Sequence, residues 1–177
     1  LDGFAEAPVP DSADLERAAA MINSAHRPLL YIGGGVIASG ASELLTQLSD
    51  KCSLAVVHTL MGKGGFPESR ELSMGMPGMH GMAYASLALH ECDLMIVIGA
   101  RFDDRVTGDL KRFSPDTKVI HIDIDAAEID KVRHAHVPIV SDAKSALQAL
   151  LPLCAERGKS AWEEYLLAKK QELALHY

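Results

Sequence analysis

Asp93-Leu94-Met95-Ile96-Val97-Ile98-Gly99-Ala100-Arg101-Phe102-Asp103-Asp104-Arg105-Val106-Thr107-Gly108 is the stretch that decides how the chain is read. Residues 93–98 form an apolar run too short for a buried helix and closed by Gly99, which predicts a fully buried strand. In open parallel sheets, ligands bind beyond the carboxyl ends of the strands. The ten residues that follow carry two Arg, two Asp and two Gly, a set suited to an anionic ligand. Arg101 and Arg105 offer fixed forks of donors for phosphate or carboxylate. Gly99 lets a ligand approach bare backbone, and Gly108 can take a positive φ. The competing reading is a surface loop with exposed Arg–Asp pairs, which stabilise little.

Working outward, the same grammar repeats. Pro28 opens a strand, Leu29-Leu30-Tyr31-Ile32, that runs into Gly33-Gly34-Gly35-Val36 and then a helix over about 40–50, with Ala41, Leu44, Leu45 and Leu48 inward. Strand, glycine turn and helix open a nucleotide-binding unit, in which phosphate or ribose can lie on backbone at a helix N-terminus. The glycines do not complete G-x-G-x-x-G, since Ala38 stands at the last position, and a plain tight turn also uses glycine. A second strand, 53–57, precedes a stretch over 58–81 that reads as a long loop, with Gly62, Gly64 and Gly65 and the methionines 61, 74, 76 and 79. Loops of that length in compact domains are commonly functional, and methionine offers soft surface for a flat ring or fills core gaps. His80 is a candidate ligand contact or helix cap. A helix over 82–91 presents Ala83, Ala85, Leu87 and Leu89 to the sheet. After the strand at 93–98, Ser114-Pro115-Asp116 reads as a turn, and residues 118–125 form a strand and its end, carrying Asp123 and Asp125. An acidic residue just past such a strand accepts a hydrogen bond from a ribose hydroxyl or adenine; Asp125 also suits a helix cap. Pro138 makes 137–140 an edge strand, and Ser141 or Asp142 caps the helix that follows. Near the N-terminus, Ser12 is placed to cap a helix with Leu15, Ala18, Ala19 and Ile22 inward. Alternation of strand and helix over 28–151 predicts an α/β fold, a three-layer doubly wound parallel sheet. Residues 1–11, with Pro8 and Pro10, read as a linker and 12–157 as the domain. Residues 158–177 open on a capping box at Ser160 and Glu163 and form a helix that packs on, or leads to, a following domain.

Composition narrows the function classes. The 177 residues suffice for one cored domain, and a net charge of −7 with no basic run speaks against nucleic acid. No apolar stretch reaches membrane-spanning length. The first residues, Leu1-Asp2-Gly3-Phe4, lack a signal peptide's basic and apolar regions and read as the cut end of a longer protein. Cys52, Cys92 and Cys154 are widely spaced, which fits buried small apolar residues in a reducing, cytoplasmic setting and no zinc site.

Five motifs stand in order. They are Gly33-Gly34-Gly35-Val36, Thr59-Leu60-Met61-Gly62-Lys63-Gly64, Met76-x-Gly78-Met79-His80-Gly81, the Gly99–Gly108 run, and His121-Ile122-Asp123-Ile124-Asp125-x-x-Glu128. Together they closely resemble the central domain of acetohydroxyacid synthase (acetolactate synthase) large catalytic subunits, over about residues 8–160. The Arg101–Gly108 run is the most specific part. The resemblance implies a Rossmann-like, DHS-like domain that binds FAD in a structural role, within a thiamine-diphosphate and Mg²⁺ enzyme. That enzyme condenses pyruvate with pyruvate or 2-oxobutyrate in branched-chain amino-acid biosynthesis. By matching position, Gly33, Gly34 and Gly35 lie along the ribityl and phosphate region, and Thr59, Leu60 and Met61 touch the flavin chain. Gly75, Met76 and His80 lie near the flavin. Gly99, Ala100, Arg101, Asp103, Arg105 and Val106 hold the pyrophosphate and ribityl part. Asp123, Ile124 and Asp142 meet the adenosine end. The resemblance further implies N- and C-terminal thiamine-diphosphate domains, a homodimer or tetramer, and a regulatory small subunit.

Two departures from the family pattern stand out: Ser73-Met74-Gly75-Met76-Pro77, where a leucine before the glycine is usual, and Val140-Ser141-Asp142, where Gly-Asp is common. The family's catalytic glutamate belongs to the preceding domain and its metal motif to the following one. Gly108-Asp109-Leu110 does not match that motif, so no catalytic or metal residue is expected in this chain and the domain alone is expected to be inactive. Two other readings compete with this one: a non-catalytic NAD- or FAD-binding module of transhydrogenase or sirtuin type, and the spacer domain of a flavin-free thiamine-dependent decarboxylase. Three scattered cysteines cannot form a sirtuin-type Cys₄ zinc module, and the Arg101–Gly108 run argues against the spacer.

Overall fold

The computed structural model describes residues 8–101 and 116–174. Six parallel strands form one sheet: β1 (Pro28–Ile32), β2 (Ala55–His58), β3 (Ser73–Gly75), β4 (Leu94–Ile98), β5 (Lys118–Asp123) and β6 (Val137–Val140). Their spatial order is β3-β2-β1-β4-β5-β6, so the winding direction reverses between β1 and β4. Side chains alternate across the sheet. On one face, Leu30, Ile32, Val56, Ile96, Ile98, Ile120 and Ile122 pack against three helices, α1 (Ser12–Ser24), α3 (Ser42–Cys52) and α5 (Ala143–Leu150). On the other, Leu29, Tyr31, Val57, Met95 and Val97 meet α4 (Ala83–Glu91) and α6 (Ala161–Glu172). The three-layer doubly wound reading therefore holds.

Several local expectations are corrected. Asp11, not Ser12, caps α1, its carboxylate accepting from the amides of Ala13 and Asp14. The helix expected over 40–50 is preceded by a separate five-residue helix, α2 (Gly34–Ala38), and Gly40 at φ +67° separates the two. The second strand starts later, because Ser53 adopts a left-handed conformation at the end of α3. The long loop over 58–81 contains a 3₁₀ turn (Leu60–Gly62) and the short strand β3; three residues are too few to show a period. In α4 the buried residues are Ala85, Ala88 and Leu89, and Ala83 is exposed. Asp125 caps no helix; it closes an Asx turn on the Ala127 amide. The turn read at Ser114-Pro115-Asp116 falls mostly outside the described residues. β6 is an edge strand, as Pro138 implied, and Asp142 caps α5 through the Ser145 amide. α6 packs on this domain's own sheet: Leu166 is fully buried, and the Trp162 Nε1 donates to the Pro28 carbonyl at 3.1 Å. All three cysteines are buried thiols.

The carboxyl ends of β1 and β4 meet backbone to backbone. The Gly33 amide donates to Ile98 O at 3.0 Å and the Gly35 amide to Gly99 O at 3.1 Å. A Cβ on Gly33 would stand 2.2 Å from Gly99 O, and one on Gly35 would stand 2.7 Å from Gly99 Cα. Gly99 itself sits at φ +55°, where side chains are strained. A Cβ on Gly34 meets only Met61, at 3.3 Å. Gly35→Ala should therefore destabilise by about 3 kcal/mol or more, while Gly34→Ala should stay within about 1 kcal/mol of the parent. Urea unfolding of the two variants checks this, and equal losses would refute the assignment.

Candidate functional site at the carboxyl ends of the strands

Each described candidate residue lies at the carboxyl end of a strand, and the rim can be followed strand by strand. At β3 are Gly75 and Met76, followed by a loop to His80. That loop is tied down by Met82 N donating to Met76 O at 2.7 Å and Gly78 N donating to the Ser86 hydroxyl at 3.0 Å. Met79 stands at its tip, 89% exposed. At β2, the Thr59 hydroxyl accepts from the Gly62 amide at 3.1 Å and closes the 3₁₀ turn. That turn pushes Leu60 and Met61 outward, 71% and 74% exposed. At β1 and β4 are Gly33, Gly34, Gly35, Gly99 and Ala100, then Arg101, whose exposed Nε lies 3.9 Å from the Glu128 carboxylate. At β5 the Asp123 carboxylate accepts from the Asp125 amide at 2.9 Å, and Ile124 is exposed. At β6 is Asp142. Its partial burial opposes ionisation, but hydrogen bonds from Ser145 and Lys144 outweigh that and hold its carboxyl below the usual range. Asp103, Arg105 and Val106 lie outside the described residues.

Exposed large apolar side chains concentrate on this rim. Of the eight among the described residues, Ile37, Leu60, Met61, Met79, Met82 and Ile124 follow strand ends, and only Val9 and Leu153 lie elsewhere. Scattered exposed apolar residues need no explanation, but a row of them marks a surface meant to be covered. With strands about 4.8 Å apart, β3 to β6 spans about 24 Å. Methionines and Leu60 stand at one end, a guanidinium at the middle and carboxylates at the other. That donor set suits an extended ligand with a flat apolar end, a central anion and a hydroxyl-bearing end.

At the β2–β3 end the rim opens into a cleft of about 330 Å³, lined by His58, Ser73, Met76, His80, Tyr84 and Lys170 among others. Sequence reading found Met76 and His80 but missed His58, Tyr84 and Lys170. Lys170 was detectable as the third member of a stripe at four-residue spacing with Trp162 and Leu166 on α6. The sequence reading also missed what supports Ala100. His121 is fully buried on β5, and its Nε2 donates to Ala100 O at 3.1 Å. The histidine thus fixes the backbone immediately before Arg101. Three or more His, Cys, Asp or Glu placed to hold a metal do not occur among the described residues, and no helix among them is long and apolar enough to cross a membrane.

Residues 15–150 match the family model described as thiamine pyrophosphate enzyme, central domain. The chain is 46% identical to the acetolactate synthase large subunit of Corynebacterium glutamicum, covering all of this chain and 29% of that protein. It is 46% identical to a probable acetolactate synthase large subunit of Methanocaldococcus jannaschii, covering 97% of this chain and 29% of that one. Against the acetolactate synthase isozyme 1 large subunit of Escherichia coli, identity is 42% over 95% of this chain and 30% of the relative. The chain thus spans under a third of the length of these relatives.

Burial holds the His121 imidazole below its usual pKa. Below about pH 6.5 the unfolded chain takes up a proton that the folded chain excludes. The stability that neutral His121 contributes is therefore complete above that pH and is lost as pH falls through it toward the folded value. Denaturant titrations from about pH 8 down to 5 should show this decline. His121→Gln should flatten it, leaving the part due to His136, which burial also holds low. An unchanged slope in the variant would exclude His121 as its source.

Proposed function

The chain belongs to the central-domain family of thiamine pyrophosphate enzymes, and from that premise we propose that it is the FAD-binding middle domain of an acetolactate synthase large subunit. The observation that carries this reading is the order of the rim. The motifs appear along the chain as β1, β2, β3, β4, β5 and β6, but in space they run β3-β2-β1-β4-β5-β6. Roles matched motif by motif fall into one continuous line only in the spatial order: flavin at Gly75, Met76 and His80; flavin chain at Thr59, Leu60 and Met61; ribityl and pyrophosphate at Gly33–Gly35 and Gly99–Arg101; adenosine at Asp123, Ile124 and Asp142. Nothing in the linear sequence demands that agreement.

The residues have distinct tasks in this reading. Arg101 neutralises the central diphosphate, where a charge-assisted fork is stronger than a neutral hydrogen bond; Arg105, Asp103 and Val106 belong to the same group by the motif they share. The exposed Leu60, Met61, Met76 and Met79 cover apolar ring surface, and methionine adapts its shape to do so. Asp123 accepts from ribose hydroxyls. Gly33, Gly34 and Gly35 lie along the ribityl and phosphate region, and Gly33 and Gly35 also let β1 and β4 close on one another. The flavin has a structural role and carries no redox step. Thiamine diphosphate with Mg²⁺ supplies the electron sink for loss of CO₂ from one 2-oxo acid, and neighbouring N- and C-terminal domains hold it. The whole enzyme joins pyruvate to pyruvate or 2-oxobutyrate as a homodimer or tetramer, with a regulatory small subunit as a further partner.

Flavin fluorescence of the full-length protein titrated with FAD, with NAD as control, tests the reading. Saturable binding of FAD and none of NAD is the expected result; NAD binding alone would point to the nucleotide-module alternative, and no flavin binding to the spacer alternative. Arg105→Ala should weaken FAD by about tenfold or more, the loss of one charge-assisted bond. The separate domain, given pyruvate, thiamine diphosphate, Mg²⁺ and FAD, should form no acetolactate.

A further inference from the structure

Trp162, Leu166 and Lys170 follow one another at four-residue spacing and share one face of α6. The first two are buried against the sheet. Lys170 ends the stripe, and its Nζ donates to two carbonyls, Glu71 O at 2.9 Å and Ser73 O at 2.6 Å. Glu71 lies in the turn that leads into β3, and Ser73 is the first residue of the strand. The Leu72 carbonyl between them accepts from the Val56 amide at 2.9 Å, which is the β2 side. Ser73 O therefore faces the outer edge of β3, beyond which no further strand lies among the described residues, and Glu71 O meets the same ammonium. One ammonium caps the open edge of a three-residue strand that pairs in the sheet with β2 alone and is otherwise held by the burial of Met74 against α4 and α6.

The same ammonium lines the cleft with His58, Met76, His80 and Tyr84. Gly75 ends β3, and Met76 begins the loop that returns to α4. Looseness in β3 passes directly into that loop, because nothing but Gly75 separates Ser73-Met74 from Met76. Burial works against the charge of Lys170 and holds its pKa below the usual value, with the Glu71 carboxylate opposing that only in part. Lys169, its neighbour, pairs instead with Glu172 on the exposed side.

We propose that Lys170 is the positioning residue of the cleft: by gripping the outer edge of β3 it sets the loop from Gly75 to His80, and so couples α6 to the seat of the ligand. For the ligand this rests on the FAD reading above; for the strand it does not. The test uses the full-length protein with Lys170→Met, Lys170→Arg and, as control, Lys169→Met. Hydrogen exchange of the segment 71–82 and FAD affinity by fluorescence are both measured. Lys170→Met should speed exchange there and weaken FAD, each by about tenfold, the worth of one charged hydrogen bond. Lys170→Arg should recover most of both, and Lys169→Met should match the parent. Parent-like exchange and affinity in Lys170→Met would overturn the proposal. If the parent itself takes up no FAD, the cofactor reading falls and the exchange measurement alone decides for or against Lys170. Should Lys170→Met fail to fold, Lys170→Gln, which keeps one donor group, takes its place in both measurements.

Discussion

Contact between two bare backbones, Gly33–Gly35 against Gly99–Ala100, is the constraint on which this architecture depends. β1 and β4 are neighbours in the sheet, and the strand order reverses between them. Their carboxyl ends meet in close backbone contact. Any Cβ at Gly33 or Gly35 would enter the space held by Gly99 and Ala100. Nearby atoms extend the same closure. Gly62 stands against the Ile32 carbonyl, where its own Cβ would lie 2.5 Å from the oxygen, and His121 secures Ala100 from below. Four strand ends are thereby locked into one surface before any ligand is considered.

That surface explains why the rim can be both apolar and ordered. Leu60 and Met61 are held out by a turn with its own cap, Met79 by a loop bonded to α4, and Ile124 by the Asx turn of Asp123. These side chains are exposed because rigid backbone presents them, not because a loop has frayed. Preorganisation of this kind reduces the ordering cost of binding. It also places the exposed guanidinium of Arg101 near the middle of the row.

The sequence was most legible where a period was long enough to count. The short apolar runs at 28–32, 94–98 and 118–123 and the periodic apolar faces of α1 and α5 could be read directly, and with them the layer architecture. β3 could not, because three residues with a glycine among them carry no period. The glycines were legible as important but for an incomplete reason. Gly33 and Gly35 suggested room for a phosphate, whereas the structure gives them a protein neighbour; which atoms crowd a glycine is a property of the other strand, 65 residues away, and leaves no local trace. His121 and Lys170 were missed for a related cause. A histidine inside a strand and a lysine late in a helix look ordinary until the topology brings Ala100 and β3 beside them. Asp142 shows the opposite case: its capping geometry was readable because cap and helix are adjacent.

Both margins of the sheet are guarded, by unlike means. At β3 the carbonyls that another strand would address are already bonded to the ammonium of Lys170. At β6, Pro138 withholds an amide from the open margin. An unprotected margin is a template on which foreign strands crystallise into aggregates. Among the described residues each flank of this sheet thus offers a foreign strand fewer free partners, which favours building it side by side with other α/β units without the units zipping together. Association is left to helix surfaces and to the apolar rim, which are shape-specific where a bare strand is not.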